Sequence, residues 1–221
     1  MIIWFILAIA FAALETLALS KNWRRLEYLA KPAVVVCLFV WLYLTTGLKG
    51  DLLWFGIGIL FSLVGDVLLM ISFNRMFLPG LAAFLLAHLS YITGFQDQFT
   101  SVTANSILLV LILVVSVVRV IRRIVGAMRA RGEDRLVVPV IVYSTVISVM
   151  LFAAMSTIFD PAWKTSATLF VSIGAFLFYM SDVILAWNKF VTPITNGRIF
   201  NILAYHLGQI GLIAGIISQF G

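Results

Sequence analysis

Eight long apolar runs constrain what this chain can fold into more than any other feature of its sequence. The hydrocarbon core of a bilayer is about 30 Å thick and needs about 20 residues of helix to cross it. The runs that meet or approach this length are Ile2–Leu19, Pro32–Thr46, Leu52–Ile71, Leu78–Phe95, Asn105–Val125, Leu136–Ile158, Ser166–Trp187 and Ile199–Ser218. The sequence therefore predicts an all-α integral membrane bundle of eight transmembrane helices, forming a single domain over residues 1–221.

The composition supports a membrane protein and disfavours a metal site. Hydrophobic residues make up 63% of the chain and charged residues only 11%, whereas soluble domains average about 25% charged residues. One cysteine, Cys37, and two histidines are too few for a zinc site of the usual Cys/His type. We therefore expect the lipid bilayer to be the surroundings of this protein, and we expect neither a metal ion nor a cofactor. The run Pro32–Thr46 is short, which suits a span that is tilted little or partly interfacial.

The basic residues are distributed unevenly between the two ends of the predicted helices. With eight alternating spans, thirteen of the fifteen Lys and Arg residues fall at one end, the basic end, and only Lys49 and Lys164 fall at the other. Loops rich in Lys and Arg stay in the cytoplasm, so the basic end is predicted to be cytoplasmic and both termini to lie outside. This arrangement accounts for the net charge of +6 without a nucleic-acid partner. We expect a multi-pass protein of a bacterial inner membrane.

The chain also reads as two related halves, residues 1–100 and 101–221. Leu29–Val35 opens the second span and Leu136–Val142 opens the sixth, each with a proline among aliphatic residues. Because four spans preserve orientation, such halves would form a 4+4 parallel repeat about an axis along the membrane normal. Chance similarity within an apolar sequence is the alternative interpretation.

Two aspartates lie inside apolar runs, in the third and seventh predicted spans. Asp66 and Asp182 each follow a small residue and precede a valine and further aliphatic residues. A charge near the bilayer centre costs about 3 kcal/mol on insertion scales, so such residues are functional candidates. A helical rise of about 1.5 Å per residue gives both aspartates a similar depth, one to two turns from the cytoplasmic edge. Two ionised carboxylates would repel, so one is expected to hold a proton, as acid/base chemistry requires.

A purely structural interpretation of these buried polar residues is the competing one. A buried aspartate often ties two helices together, and a membrane histidine such as His88 is often a hydrogen-bonded packing residue. Glu15, late in the first span, would on this interpretation pair with Lys21 or with Lys31. No role is assigned to His206, which lies early in the eighth span.

Several short motifs, spread over nearly the whole chain, carry a resemblance to a known family. They are Lys31-Pro32, Gly65-Asp66-Val67-Leu68-Leu69, Phe84-Leu85-Leu86-Ala87-His88 with Tyr91, Tyr179 with Ser181-Asp182, Ala186-Trp187-Asn188-Lys189-Phe190, and Tyr205 with Gln209. With these motifs the chain resembles the YhhN-type family of small multispan membrane proteins, whose characterised animal members are lysoplasmalogenases. The resemblance implies eight spans and hydrolysis of the vinyl ether of a lysoplasmalogen, which gives a fatty aldehyde and a glycerophospho-base.

The chemistry of that reaction suggests which residues act. A vinyl ether breaks when its β-carbon is protonated and water attacks the resulting oxocarbenium, which calls for a protonated acid and a second carboxylate. Asp66 and Asp182 are therefore the candidate catalytic residues, with the two roles not divided between them, and no metal or organic cofactor is required. Lys31, Asn188, Lys189 or Arg75 at the cytoplasmic edge would hold the phosphate. The candidate substrate-binding residues are Lys31, His88, Tyr91, Tyr179, Ser181, Asn188, Lys189, Tyr205 and Gln209.

Two other classes of function stay open at this point. Acidic residues near the midplane of a parallel repeat are also typical of small proton-coupled transporters, although the spans lack a clear pair of Gly/Pro-broken helices. The third class is a non-catalytic membrane protein that binds or senses lipid. A cavity that holds both aspartates, opens at one face only and admits a lipid tail would favour the hydrolase. The oligomeric state does not follow from the sequence.

Overall fold

The computed structural model describes residues 1–99 and 103–221, and within these ranges it contains eight helices long and apolar enough to cross a membrane. The helices are α1 Ile2–Ser20, α2 Arg24–Thr46, α3 Leu52–Ile71, α4 Phe77–Gly94, α5 Ala104–Ala130, α6 Asp134–Ser156, α7 Thr165–Ala186 and α8 Gly197–Phe220. The predicted all-α bundle of eight spans is confirmed. The predicted boundary between the two halves, at residues 100 and 101, lies outside the described residues.

Helix α2 begins at Arg24, two turns before the start predicted at Pro32. The preceding turn is closed by Asn22, whose φ of 57° reverses the chain direction after α1. Pro32 lies inside the helix, which membrane helices tolerate because neighbouring groups satisfy the carbonyl that proline leaves unbonded. With 23 residues, α2 is a full-length span, so the prediction of a short second span is wrong. Lys31 consequently belongs to a helix rather than to a loop, and its side chain is largely buried.

Helix α7 continues past Ala186 into a π-helical turn, Trp187–Val191. Arg131, just after α5, donates from its guanidinium to the carbonyls of Lys189 at 3.1 Å and Val191 at 2.6 Å. The Asn188 Oδ1 accepts a hydrogen bond from a backbone amide of the following loop at 2.8 Å. Single π turns are frequent at functional sites, and this one fixes Asn188 and Lys189 at the basic end of the bundle.

Contacts between the connecting segments show that successive helices run in opposite directions. At the basic end, the Tyr28 hydroxyl at the start of α2 donates to the Met70 carbonyl at the end of α3, at 3.0 Å. At the other end, the Lys164 ammonium before α7 donates to the Ser218 carbonyl near the end of α8, at 2.7 Å. Both chain termini therefore lie at the end opposite to the basic end. Which of these ends faces the cytoplasm stays a prediction.

The most extensive helix contacts join α3 to α4 and α7 to α8, and glycines permit both close approaches. A Cβ at Gly174 of α7 would lie 2.3 Å from the Leu212 amide nitrogen, and one at Gly65 of α3 would lie 2.6 Å from the Phe84 ring. Because Gly65 precedes Asp66, this second contact holds the aspartate beside α4. The two helix pairs occupy corresponding positions in the two halves, but the 4+4 repeat itself stays a prediction.

Candidate active site

A cavity of about 600 Å³ opens at the basic end of the bundle. Its walls come from α2, α3, α7 and α8, from Phe84 of α4 and from the segments that follow α3 and α7. Asp66 of α3 and Asp182 of α7 both line it, so the two predicted aspartates share one space. Other polar residues of the lining include Lys31, Ser181, Asn188, Lys189, Asn201 and Tyr205.

Asp66 is held by a cation and a hydroxyl from two other helices. The Lys31 ammonium of α2 lies 2.9 Å from Asp66 Oδ1, and the Tyr205 hydroxyl of α8 donates to Asp66 Oδ2 at 2.6 Å. The Lys31 ammonium also lies 5.6 Å from the centre of the Tyr205 ring. One oxygen of this buried carboxyl therefore has an ammonium as its ion-pair partner and the other accepts a hydrogen bond, and a nearby opposite charge favours the ionised form of a carboxyl.

Asp182 has different neighbours, namely two hydroxyls and an imidazole. The Tyr143 hydroxyl of α6 donates to Asp182 Oδ2, and the Ser181 hydroxyl donates to Oδ1 at 3.3 Å. Behind them lies His88 of α4, with its Nε2 3.0 Å from the Tyr143 oxygen and 3.6 Å from Asp182 Oδ2. The Asp182 side chain is 16% exposed and that of Asp66 only 1%. Asp182 is therefore the more accessible of the two carboxyls.

A narrow apolar groove of about 50 Å³ meets the cavity at Asp182. Three further residues, Leu69, Phe84 and Leu185, also line both spaces. The apolar wall of the groove includes Leu81, Val120, Ile124, Val140, Ile147 and Val183. Asp182 consequently stands at the junction between a polar cavity and an apolar groove, where one carboxyl can face a molecule that occupies both.

Charged residues from two helices surround the mouth of the cavity. Arg198, at the start of α8, forms an ion pair with Glu27, in the first turn of α2. Arg24 and Tyr28 lie on either side of Glu27 in the sequence and also line the cavity. The mouth therefore presents both signs of charge, although the end of the bundle as a whole is strongly basic.

The nine predicted substrate-binding residues divide into three groups. Lys31, Ser181, Asn188, Lys189 and Tyr205 line the cavity. Tyr179 lines the apolar groove. The remaining three, His88, Tyr91 and Gln209, line neither space and are buried beneath them. The structure thus brings six of the nine to surfaces that a ligand can reach.

The three buried residues make contacts of their own. The Tyr91 hydroxyl of α4 donates to Gln209 Oε1 of α8 at 3.0 Å, which ties these two helices together. His88 contacts the Tyr143 hydroxyl and, through it, lies one side chain away from Asp182. Substrate contact is therefore not supported for these three by the geometry, and His88 reaches the site only through its neighbours.

The residues outside the predicted set that reach the site include Tyr143, Asn201, Glu27 and Arg198. The Asn201 amide donates to the Ser181 carbonyl at 2.7 Å, beside Asp182. A signal existed for Tyr143 and Asn201, because a polar side chain inside an apolar span is uncommon and marks functional positions. Glu27 and Arg198 gave no such signal, since charged residues at the ends of membrane helices are ordinary.

A second buried acid–base pair lies outside the cavity and joins α1 to α8. Glu15 and His206 are fully buried, and Glu15 Oε2 is paired with His206 Nε2. The prediction that Glu15 pairs with Lys21 or Lys31 is therefore wrong. Glu15 pairs with His206 because α1 packs against α8, so the partner of Glu15 comes from the far end of the chain.

The site offers little to a metal ion. Among residues 1–99 and 103–221, no three His, Cys, Asp or Glu side chains are grouped as a metal ion would need. Each histidine faces a partner of its own, Tyr143 for His88 and Glu15 for His206. What the cavity does present is a pair of carboxyls with hydroxyl and ammonium partners, which suits proton transfer and binding of a charged headgroup.

Large apolar side chains fill the half of the bundle away from the basic end. They belong to one buried cluster that draws on α2 to α8 and extends from Phe84 and Tyr205 at the cavity wall; its members include Leu42, Phe55, Ile59, Phe95, Met150, Leu151, Val171 and Ile216. Aromatic packing reinforces it, since the Phe55 and Phe95 rings meet edge to face with centroids 4.9 Å apart. The cavity therefore ends against a packed core, and its described lining belongs to the basic half of the bundle.

Comparison with known proteins identifies relatives along most of the chain. The model of the YhhN family matches residues 26–216. Human lysoplasmalogenase TMEM86B is 27% identical over 184 residues, which cover 82% of this chain and 71% of the human protein. The lysoplasmalogenase TMEM86B of Sus scrofa is 30% identical over 161 residues, covering 73% of this chain and 62% of the pig protein.

A more distant organism provides a third relative. The lysoplasmalogenase homolog of Dictyostelium discoideum is 28% identical over 189 residues, covering 76% of this chain and 61% of that protein. The match thus spans between 61% and 71% of the length of these three relatives. No solved structure gives a significant match.

Proposed function

Because this chain belongs to the YhhN family, we propose that it is a membrane-embedded hydrolase that cleaves the vinyl ether bond of lysoplasmalogens. The substrates would be 1-alkenyl-glycerophosphoethanolamine or 1-alkenyl-glycerophosphocholine, and the products a fatty aldehyde and the glycerophospho-base. Relatives named lysoplasmalogenase, at 27% and 30% identity, support a hydrolase acting on such ether bonds.

One observation carries the proposal: Asp66 and Asp182 line one cavity, and Asp182 also lines the apolar groove that meets it. A lysoplasmalogen has a charged headgroup and a long hydrocarbon chain, and its vinyl ether lies between them. With the headgroup in the cavity and the start of the chain in the groove, the vinyl ether falls beside Asp182.

The surroundings of the two aspartates support different roles. Asp182 is the proton donor in our proposal, because it is the more exposed carboxyl and lies at the junction with the groove. Asp66, with Lys31 on one oxygen and Tyr205 on the other, is held as a carboxylate. It stabilises the cation and accepts a proton from the attacking water.

The two aspartates donate and accept every proton that this reaction moves. Asp182 gives its proton to the β-carbon, where the π electrons form the new C–H bond and leave an oxocarbenium. Water adds to the α-carbon, the one bonded to the ether oxygen, and passes a proton to Asp66, giving a hemiacetal. Asp66 then protonates the glycerol oxygen as the carbon–oxygen bond breaks, and the hemiacetal hydroxyl returns its proton to Asp182. One water is consumed, and both carboxyls end in their starting states.

The packed core weighs against the transporter. A transporter needs a path that reaches the other side of the membrane, whereas the cavity ends against the large apolar cluster that includes Phe55, Met150 and Ile216. A binding protein without turnover would have the same cavity, so only an activity measurement separates it from the hydrolase.

Product analysis with the purified protein tests the proposal. We expect free fatty aldehyde from 1-alkenyl lysophospholipids and none from 1-alkyl lysophospholipids of the same chain length, since the saturated ether has no carbon–carbon double bond to accept the proton. Binding of the alkenyl lipid with no aldehyde release would identify a lipid-binding protein. Uptake of the lipid or of protons into sealed vesicles without cleavage would identify a transporter.

We also propose the orientation that the basic residues indicate, with both termini outside a bacterial inner membrane. The cavity mouth would then open toward the cytoplasmic leaflet. Reporter fusions measure this orientation directly when they are placed at Gly221 and within the Arg122–Arg135 segment. Each fusion is read separately for cytoplasmic and for external location. A cytoplasmic location for Gly221 contradicts it.

A further inference from the structure

We propose that His88 stores the proton that Asp182 delivers to the substrate, and that the Tyr143 hydroxyl carries this proton between them. The proposal rests on the proposed function for the role of Asp182 as proton donor. It gives a role to a fully buried histidine that lines neither the cavity nor the groove. Because His88 acts through Tyr143 and does not touch a ligand, it is a positioning residue for the proton rather than a catalytic residue.

A proton donor must hold a proton at the pH at which it works. In water, aspartic acid has a pKa of about 3.9 and is almost fully ionised at neutral pH, whereas an imidazolium has a pKa of about 6.5. Imidazole is therefore the side chain best suited to exchange protons near neutrality. A histidine coupled to a carboxyl keeps a proton available in a pH range where an isolated aspartic acid has lost it.

Three side chains from three helices form the path for the proton. The Tyr143 hydroxyl of α6 donates to Asp182 Oδ2 of α7, and His88 Nε2 of α4 lies 3.0 Å from the same Tyr143 oxygen. His88 Nε2 also lies 3.6 Å from Asp182 Oδ2. One hydroxyl thus bridges an imidazole and a carboxyl. Because a hydroxyl both donates and accepts hydrogen bonds, it takes a proton on one side as it releases one on the other.

The packing around His88 fixes its ring and leaves its protonation free. The centre of the His88 ring lies 4.8 Å from that of Phe178 and 5.5 Å from that of Tyr143. Among the described residues, none forms a hydrogen bond with His88 Nδ1. The partner of the second ring nitrogen commonly sets the tautomer of a histidine. Since no described residue sets it here, Nε2 can either accept a hydrogen bond from Tyr143 or donate one to it.

The remaining titratable groups around His88 have partners of their own. On α4 itself, the Tyr91 hydroxyl donates to a glutamine of α8. On α3, which packs against α4, Asp66 has a lysine and a tyrosine as its partners. Tyr143 comes from α6 and Asp182 from α7, so Asp182 is the carboxyl that faces His88 among the described residues. A carboxylate this close favours the charged form of an imidazole.

The proton moves along this path without a net change in the site. With the proton on His88, Asp182 is a carboxylate. His88 Nε2 then passes its proton to the Tyr143 oxygen while Tyr143 releases its own hydroxyl proton to Asp182 Oδ2. Asp182 protonates the β-carbon, and the proton that the hemiacetal hydroxyl returns to Asp182 goes back to His88 by the same path. The imidazole and the carboxyl thus share one proton between them.

The pH dependence of turnover tests the proposal. Aldehyde release from a 1-alkenyl lysophospholipid is measured between about pH 5 and 8, with the rate of Asp182→Asn subtracted as the background. In the wild type, kcat/KM, which reports the free enzyme, should fall as the pH rises through about 6.5.

His88→Gln keeps a hydrogen-bonding group beside Tyr143 but does not titrate. The fall in kcat/KM should therefore begin about two pH units lower, toward the range of a carboxyl. Relative to the wild type, this variant should lose about 100-fold near pH 7.5 and less than about tenfold near pH 5. A loss that is the same at every pH would overturn the proposal, since a histidine that only packs against its neighbours gives such a loss.

The second histidine of the chain provides the matched control. His206 is also fully buried, but it is paired with Glu15 outside the cavity. His206→Gln should leave the pH of the fall unchanged, whatever it does to stability. Tyr143→Phe interrupts the path and should shift the fall in the same direction as His88→Gln does.

Histidine resonances of isotope-labelled protein without a histidine tag test the shared proton separately from turnover. The chain has two histidines, so the imidazole resonance that remains in His206→Gln belongs to His88. In Asp182→Asn the titration of this resonance should move to lower pH, because the carboxylate that favours the charged imidazole is gone. An unchanged titration would overturn the proposal, and this comparison does not depend on the folding of any His88 variant.

The two measurements separate this proposal from the proposed function. No aldehyde release, together with a His88 titration that shifts in Asp182→Asn, would keep the shared proton and refute the hydrolase. Aldehyde release with an unshifted pH dependence in His88→Gln would keep the hydrolase and refute the role of His88.

Discussion

Asp66 and Asp182 occupy corresponding positions in the third and seventh helices and line one cavity, yet their surroundings differ in kind. Asp66 has an ammonium, Lys31, on one oxygen and a tyrosine hydroxyl on the other. Asp182 has hydroxyls on both oxygens, from Tyr143 and Ser181. In each case a tyrosine is the closest hydrogen-bonding partner, but among the described residues a lysine is paired only with Asp66, whereas the basic side chain nearest Asp182 is the His88 imidazole.

This difference teaches which carboxyl is fixed and which can exchange a proton with a ligand. A buried ion pair is costly to disrupt, because removing one partner leaves an uncompensated charge. Asp66 is therefore bound into the protein on both sides. Asp182 forms no such pair with a lysine or arginine in the described contacts and borders the groove, so its proton can leave for a substrate at lower cost. Four experiments break or sharpen this contrast.

The largest expected effect is on turnover. Asp182→Asn and Asp66→Asn should each lower kcat by about a thousandfold, because general acid–base groups contribute roughly 10²–10⁴ and an amide provides neither an acid nor a carboxylate base. The double variant should be at most a few-fold slower than either single variant, since cooperating groups act as a unit. Aldehyde release measures this, and wild-type rates in either single variant contradict the two-aspartate mechanism.

The same two variants should differ in stability. Asp66→Asn leaves the Lys31 ammonium buried without its carboxylate, which should cost about 3 to 5 kcal/mol and lower the melting temperature. Asp182→Asn keeps hydroxyl partners for its side chain and should melt close to the wild type.

The control for the stability difference is Asp66→Asn combined with Lys31→Met. It removes both charges, so it should recover most of the lost stability while staying inactive. Equal melting temperatures for the two single variants would show that the Lys31 contact does not distinguish the aspartates.

The tyrosine partners should show a smaller difference. Tyr143→Phe removes the hydroxyl that lies between His88 and Asp182. Asp182 becomes a carboxylate when it gives up its proton, and a hydrogen bond to a charged group is worth about 1.5 to 3 kcal/mol. We expect kcat to fall roughly 10- to 100-fold, with a shifted pH profile. Tyr205→Phe leaves Asp66 with Lys31 and should cost less than about tenfold. The reverse order of the two effects would contradict the proton-donor assignment of Asp182.

The smallest expected effect is that of the Ser181 hydroxyl. Its contact with Asp182 Oδ1 is 3.3 Å long, beyond the usual range for a hydroxyl donor. Ser181→Ala should therefore change kcat by less than about threefold and leave the melting temperature within error. A larger loss, measured beside Tyr143→Phe on the same preparation, would mean that both oxygens of Asp182 depend on their donors.

The sequence by itself determined the eight spans, the basic end and the two aspartates. Each of these follows from a property of single segments. Water is excluded from the bilayer core, so a backbone there must be helical and its side chains apolar, and any carboxyl inside such a run is conspicuous. That reasoning needs no knowledge of which helix lies beside which, and the structure confirms the eight-helix bundle to which it leads.

Only the tertiary structure decided which partners the buried polar residues have. The spans are apolar on most sides, so the sequence pattern does not fix which face of a helix meets a neighbour. Glu15 pairs with His206 because α1 packs against α8. Lys31 reaches Asp66 because α2 begins at Arg24 and continues through Pro32. A side-chain contact depends on the rotation and packing of two helices together, and neither helix carries that information alone.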